Sequence, residues 1–137
     1  MERRRYPVDT QTFSNIVEGN YIYVDKTALV YRMAKDYRYV FLSRPRRFGK
    51  SLLCSTLKEY FEGNKEMFAG LQMAELEKDW VKYPVIHFSF AIAKNVSEES
   101  LNAIINNILC EAEKKFGLIN TENDCGVRFS NLIKNIY

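Results

Sequence analysis

The sequence predicts an α/β fold, and three observations predict it. Residues 39–42 (Tyr39, Val40, Phe41, Leu42) form a short apolar run between polar flanks, which suits a buried strand better than a helix. A basic loop follows at once and opens into a segment where Leu53, Leu57, Tyr60 and Phe61 recur at helical spacing. Pro84 then introduces a second strand over residues 85–90, with Ile86, Phe88 and Phe90 on one side and Val85, His87 and Ser89 on the other. At 137 residues, 47% hydrophobic and 27% charged, the chain fits one domain over 1–137, with a lead-in at 1–36 and a core from 37 onward.

The remaining elements follow from local pattern. Phe13, Ile16 and Val17 share one face of a short helix over 12–18, which Gly19 stops. Residues 21–24 are aromatic and β-branched and read as extended. Asp25 can cap a helix over 26–35, because its carboxylate can accept the unpaired amides of the first turn. Gly63 ends the helix after the basic loop, and short helices are expected around 66–68 and 74–80. Ser97 caps a long helix over 98–116, with Leu101, Ile104, Ile105, Ile108, Leu109, Ala112 and Phe116 as its buried stripe. A last amphipathic helix over 124–137 presents Phe129, Leu132, Ile133 and Ile136.

Composition removes several function classes. A balance of 20 basic to 17 acidic residues gives no global pull toward nucleic acid or membrane, so any basic function is local. The Arg3 to Arg5 start is followed by a stretch too polar for a signal peptide, and the nearly apolar run from Val85 to Ala93 is too short for a bilayer. Cys54, Cys110 and Cys125 are odd in number and widely spaced, which suggests neither a disulfide framework nor a zinc site and suits the cytoplasm. Cys54 is expected to be a buried, inert thiol on the apolar side of its helix.

The chemistry concentrates in residues 44–51 (Arg44, Pro45, Arg46, Arg47, Phe48, Gly49, Lys50, Ser51). A phosphate-binding loop needs inward-turned amides, a glycine where phosphate leaves no room for a side chain, a lysine, and a hydroxyl for magnesium. Gly49, Lys50 and Ser51 supply the last three. Lys50 is assigned to the β and γ phosphates, Ser51 to Mg²⁺, and the amides from Arg46, Arg47 and Phe48 through Leu52 to the cradle. Strand before and helix after make this the front of a three-layer P-loop NTPase fold, incomplete, with two main strands. Arg44 stands where the usual pattern has its first glycine, and Pro45 pushes it toward extended backbone, so the loop must turn elsewhere.

Residues 41–52, from Phe41 through Arg44-Pro45-Arg46-Arg47-Phe48-Gly49-Lys50-Ser51 to Leu52, resemble the loop of the bacterial AAA-ATPase-like family, including the substituted first glycine. The resemblance extends to Tyr6-Pro7-Val8, Tyr23-Val24-Asp25-Lys26-Thr27, Tyr60-Phe61-Glu62-Gly63 and Phe68-Ala69-Gly70-Leu71, and so covers essentially the whole chain. It implies ATP binding with Mg²⁺, often beside a C-terminal PD-(D/E)XK nuclease-like domain, and a magnesium-holding acidic strand further along. No later segment here has four apolar residues followed by Asp or Glu, so hydrolysis is not expected of this sequence alone. Both strands would also keep unpaired backbone groups, which predicts marginal stability.

Competing readings stand beside this one. The arginine loop can contact nucleotide phosphates, act across an oligomer interface or bind a nucleic-acid backbone, and the chain can equally be a noncatalytic basic module or a gene remnant. His87 reads as a hydrogen-bonded structural residue, and Asp25-Lys26-Thr27 as a helix cap with a solvated lysine. Trp80 reads as an anchor before the second strand.

Overall fold

A computed structural model of the chain describes residues 4–91 and 97–136. Arg3, the end of the apolar run at Ala93 and the last residue of the predicted terminal helix, Tyr137, lie outside the described residues. Two compact units divide the chain, Met1–Val85 and Ile86–Tyr137.

The α/β expectation is overturned. Among the described residues the ordered elements are helical, neither predicted strand forms, and the one bridge is an isolated parallel pair between Arg5 and Tyr21. The physical reason is that a strand exists only where a neighbour takes up its N–H and C=O groups. Residues 39–42 find no such neighbour, and their side chains face solvent, with Tyr39 85% and Phe41 92% exposed. Residues 85–90 keep the predicted alternation only in the middle and without the ladder: Ile86 and Phe88 are half-buried and His87 and Ser89 exposed, but Val85 is half-buried and Phe90 exposed, against the predicted sides.

In the first unit, α1 (Phe13–Glu18), α2 (Thr27–Asp36), α3 (Lys50–Phe61) and α4 (Gln72–Leu76) surround a core of Phe13, Val30, Tyr60, Phe68 and Met73. Phe68 comes from a 3-10 turn, Lys65–Phe68. The first three helices sit close to where their periodicity placed them. Gly63 ends α3 at φ 74°, and a Cβ there would lie 3.2 Å from the Trp80 carbonyl, so the position needs both glycine's backbone and its size. Trp80 packs against Tyr60 and Phe68 at ring separations of 5.9 and 5.3 Å, which makes it the anchor its sequence position suggested.

Polar groups buried under this core carry much of its definition. Asp25 Oδ1 accepts from the Thr27 amide at 2.8 Å and its hydroxyl at 2.6 Å, while Oδ2 accepts from the Gln72 amide at 2.8 Å. The fully buried Thr27 hydroxyl in turn accepts from the Met73 amide at 3.0 Å. One short stretch thus satisfies the first turns of both α2 and α4. Burial works against the Asp25 charge, but the Thr27 and Gln72 donors outweigh it and hold the carboxyl below its usual range. At the other end of α4, Glu77 accepts from the Tyr60 hydroxyl, from Lys35 Nζ at 2.9 Å, and from the Lys78 and Asp79 amides at 3.0 and 3.1 Å.

The second unit pairs α5 (Glu98–Lys115) with α6 (Cys125–Ile136) around Leu109, Ala112 and Leu132. Ser97 caps α5 as predicted, accepting from the Ser100 amide at 3.2 Å while Ser100 returns a bond to the Ser97 amide at 3.0 Å. The α6 stripe is less buried than its pattern implied. Leu132 is enclosed, while Phe129 and Ile133 stay partly open to solvent. A fork from Arg128 fixes the pair: Nε and Nη2 donate to the two Glu113 oxygens at 3.1 and 2.7 Å, and Nη1 donates to Asn106 at 2.7 Å.

Candidate functional site

The basic loop sits on the first unit and runs straight into α3. Residues 46 and 47 form a turn, Gly49 adopts φ 74° as the residue before the helix, and Lys50 is its first residue. The first intrahelical bond is from the Leu53 amide to the Gly49 carbonyl at 2.9 Å. The amides of Lys50, Ser51 and Leu52 therefore have no partner within the helix, and they carry the positive end of its dipole. A Cβ built on Gly49 would meet no protein atom within 4 Å, so glycine is required here by its left-handed backbone and not by crowding within the chain.

Lys50 Nζ donates to the carbonyls of Arg44 and Pro45 at 2.5 and 2.7 Å. These bonds draw the start of the loop over the helix end. Arg44 does not take the left-handed conformation that a first glycine usually supplies; the turn falls instead at Arg47, with φ 66°. That is the route left open by the Arg44-Pro45 pair.

Of the residues singled out in the sequence, Arg46, Arg47, Phe48 and Gly49 are exposed in the turn, Lys50 is half-buried, and Ser51 is exposed on the first turn of α3. Leu52 points the other way, into the core cluster of the unit. Arg44, Arg46 and Arg47 have no ion-pair partner among the described residues. Four basic residues therefore stand in the loop and first turn at the positive end of α3, where the helix dipole favours an anion over a cation. Ser51 offers a hydroxyl suited to a magnesium shell, while no cluster of three His, Cys, Asp or Glu residues gathers among the described residues.

Two buried polar residues of α3, the helix that follows the loop, were not identified from sequence. Ser55 lies on the buried face of α3, where its Oγ accepts from the Phe13 amide at 2.9 Å and so caps α1 from a distance. Thr56, almost fully buried, donates to the Leu52 carbonyl at 2.8 Å. The signal was a Ser-Thr pair between Leu53 and Leu57, at positions where apolar residues are expected. Cys54 corrects the opposite error: it is exposed, because α3 turns Ser55, Thr56, Glu59 and Tyr60 inward. His87 is exposed and has no hydrogen-bond partner among the described residues, so the bonded structural role does not hold.

A family model described as Predicted AAA-ATPase matches residues 7–137. The chain belongs to the AAA-ATPase-like family. A relative of this AAA-ATPase-like chain, an uncharacterized protein in the vnfD 5' region of Azotobacter chroococcum mcd 1, is 39% identical over 136 residues. That alignment takes in 98% of the chain and 26% of the relative, so the AAA-ATPase-like chain spans about a quarter of that protein's length. No solved structure matches it. Among the described residues no helix is long and apolar enough to cross a membrane.

Proposed function

We propose that this AAA-ATPase-like chain binds ATP with magnesium through the loop ahead of α3. The observation that carries the reading is the placing of Arg44, Arg46, Arg47 and Lys50 in the loop and first turn beside the free amides that follow a left-handed Gly49, with no carboxylate among the described residues paired to them. Amides from Arg46, Arg47, Phe48 and Gly49 through Leu52 cradle the phosphates, and Lys50 exchanges its bonds to the Arg44 and Pro45 carbonyls for phosphate oxygens. Ser51 contributes its hydroxyl to the magnesium shell. The bound metal neutralises phosphate charge; holding and orienting the triphosphate is the work of this chain's residues.

The reading is confined to binding. Hydrolysis belongs to the whole protein, for which a C-terminal nuclease-like domain is the partner the resemblance implies, and the three unpaired cysteines favour a reducing cytoplasm. Thermal unfolding with and without magnesium ATP tests the assignment. The native chain should gain a higher midpoint and Lys50→Ala should gain none; an equal gain in the variant removes Lys50 from the site. Retention on nucleic acid at low salt, unaffected by excess ATP and steeply weakened by added salt, would point to a nucleic-acid backbone as the ligand instead.

A further inference from the structure

The second unit holds a cleft of about 220 Å³, lined by the end of α5, the connection that follows it and α6. That is the room of about seven water molecules, enough for a ligand the size of an amino acid. The Arg128–Glu113 pair lines it, with Leu118 and Leu132 as apolar surface and Ile119, 96% exposed, beside them. Arg128 uses three of its N–H groups on Glu113 and Asn106, and a guanidinium has about five, so donors are left over. Among the described residues, Asn131 makes no side-chain hydrogen bond, Asn135 Oδ1 has no donor and the Glu122 carboxylate has no cation. All three also line the cleft. The Arg128 fork already fastens α6 to α5, so these unused groups are not needed to hold the two helices together.

The charges choose between ligands. The charged residues lining the cleft are Glu113, Glu122 and Arg128, two carboxylates against one guanidinium, which favours a monocation. A carboxylate brought to Arg128 meets the charge of Glu113, already 2.7 Å from the same guanidinium, whereas a neutral carbonyl takes the spare N–H groups without that repulsion. We infer that the cleft binds the free N-terminal residue of a peptide. Its ammonium meets Glu122 and Asn135 Oδ1, its first carbonyl accepts from Arg128, and a small aliphatic side chain lies against Leu118 and Leu132. The inference does not rest on the nucleotide reading.

The test follows the side-chain amide signals of Asn131 and Asn135 by NMR in the full chain, with valinamide, valine, N-acetylvalinamide and a tetrapeptide beginning with valine as probes. Valinamide should shift both signals and saturate at about millimolar concentration, the range open to so small a ligand. Valine, which carries a carboxylate, and N-acetylvalinamide, which lacks the ammonium, should each bind about fivefold more weakly, and the tetrapeptide at least as well as valinamide. Glu122 is exposed and bonds to Asn120 only through its backbone, so Glu122→Gln should unfold at the native midpoint. It should bind valinamide about threefold more weakly, the loss of one exposed ion pair, while Glu66→Gln in the first unit binds as the native chain does. Equal binding of valinamide and N-acetylvalinamide, native affinity in Glu122→Gln, or no saturable shift at all overturns the inference. So does valine bound as tightly as valinamide, which would make the ligand a free amino acid, or exclusion of the tetrapeptide, which would leave only small amines.

Discussion

Replacing Glu77 with glutamine should remove most of the acid sensitivity of the first unit. The carboxylate is 5% exposed and accepts from Tyr60, Lys35 and two backbone amides. Burial raises its pKa, but the Tyr60 hydroxyl, the Lys35 ammonium and the Asp79 amide more than offset this and bring it from 4.5 to about 2. A depressed folded pKa stabilises the protein above the unfolded value and is lost as pH falls from about 4.5 toward 2. At 1.36 kcal/mol per pH unit that is about 3 kcal/mol, and the half-exposed Lys35 partner trims it to about 2 kcal/mol. Trp80 is the only tryptophan and meets the Tyr60 ring edge-on, so its fluorescence in urea reports this unit. At pH 7, Glu77→Gln should lose about 2 kcal/mol, and the gap to the native chain should close by pH 2.5. Asp25, also depressed, titrates in both proteins and cancels in the difference. Parallel stability curves from pH 7 to 2.5 would refute the account.

Two other substitutions probe the polar fasteners. Asp25→Ala removes three acceptor contacts at the starts of α2 and α4 and should cost about 2 kcal/mol in urea unfolding, with hydrogen exchange rising in both helices. Arg128→Ala leaves Glu113 charged and enclosed, and should cost the α5–α6 pair about 3 kcal/mol by circular dichroism; pairing it with Glu113→Leu should recover stability.

Helices were legible where the signal was local. The stripe of α5 with its Ser97 cap, and the starts of α1 and α2, all lie within a few residues of the information that sets them. The start of α4 was not legible, because the groups that hold it, Asp25 and Thr27, are 47 and 46 residues earlier. The expected helix over 74–80 therefore begins at Gln72 and ends at Leu76, where Glu77 turns its carboxylate back to the Lys78 and Asp79 amides. The strands failed for a related reason: an apolar run states that a strand is possible, whereas forming one depends on a second segment in register. In the loop, Gly49, Lys50 and Ser51 were read as loop residues ahead of the helix, whereas the helix already begins at Lys50, with Gly49 as the residue before it. The shift of the turn to Arg47 followed from Arg44-Pro45 only as an unspecified detour, since sequence does not say which residue absorbs the strain.

The bare aromatic stretch at 39–42 has a further consequence for the protein as a colloid. Arg38 stands before it and Arg44 to Arg47 after it, so the part of the surface best able to template stacking between molecules is bracketed by repelling charge. The charge of the loop thus also keeps copies of the chain apart, and on the proposed reading each phosphate bound there would weaken that guard beside its stickiest neighbour.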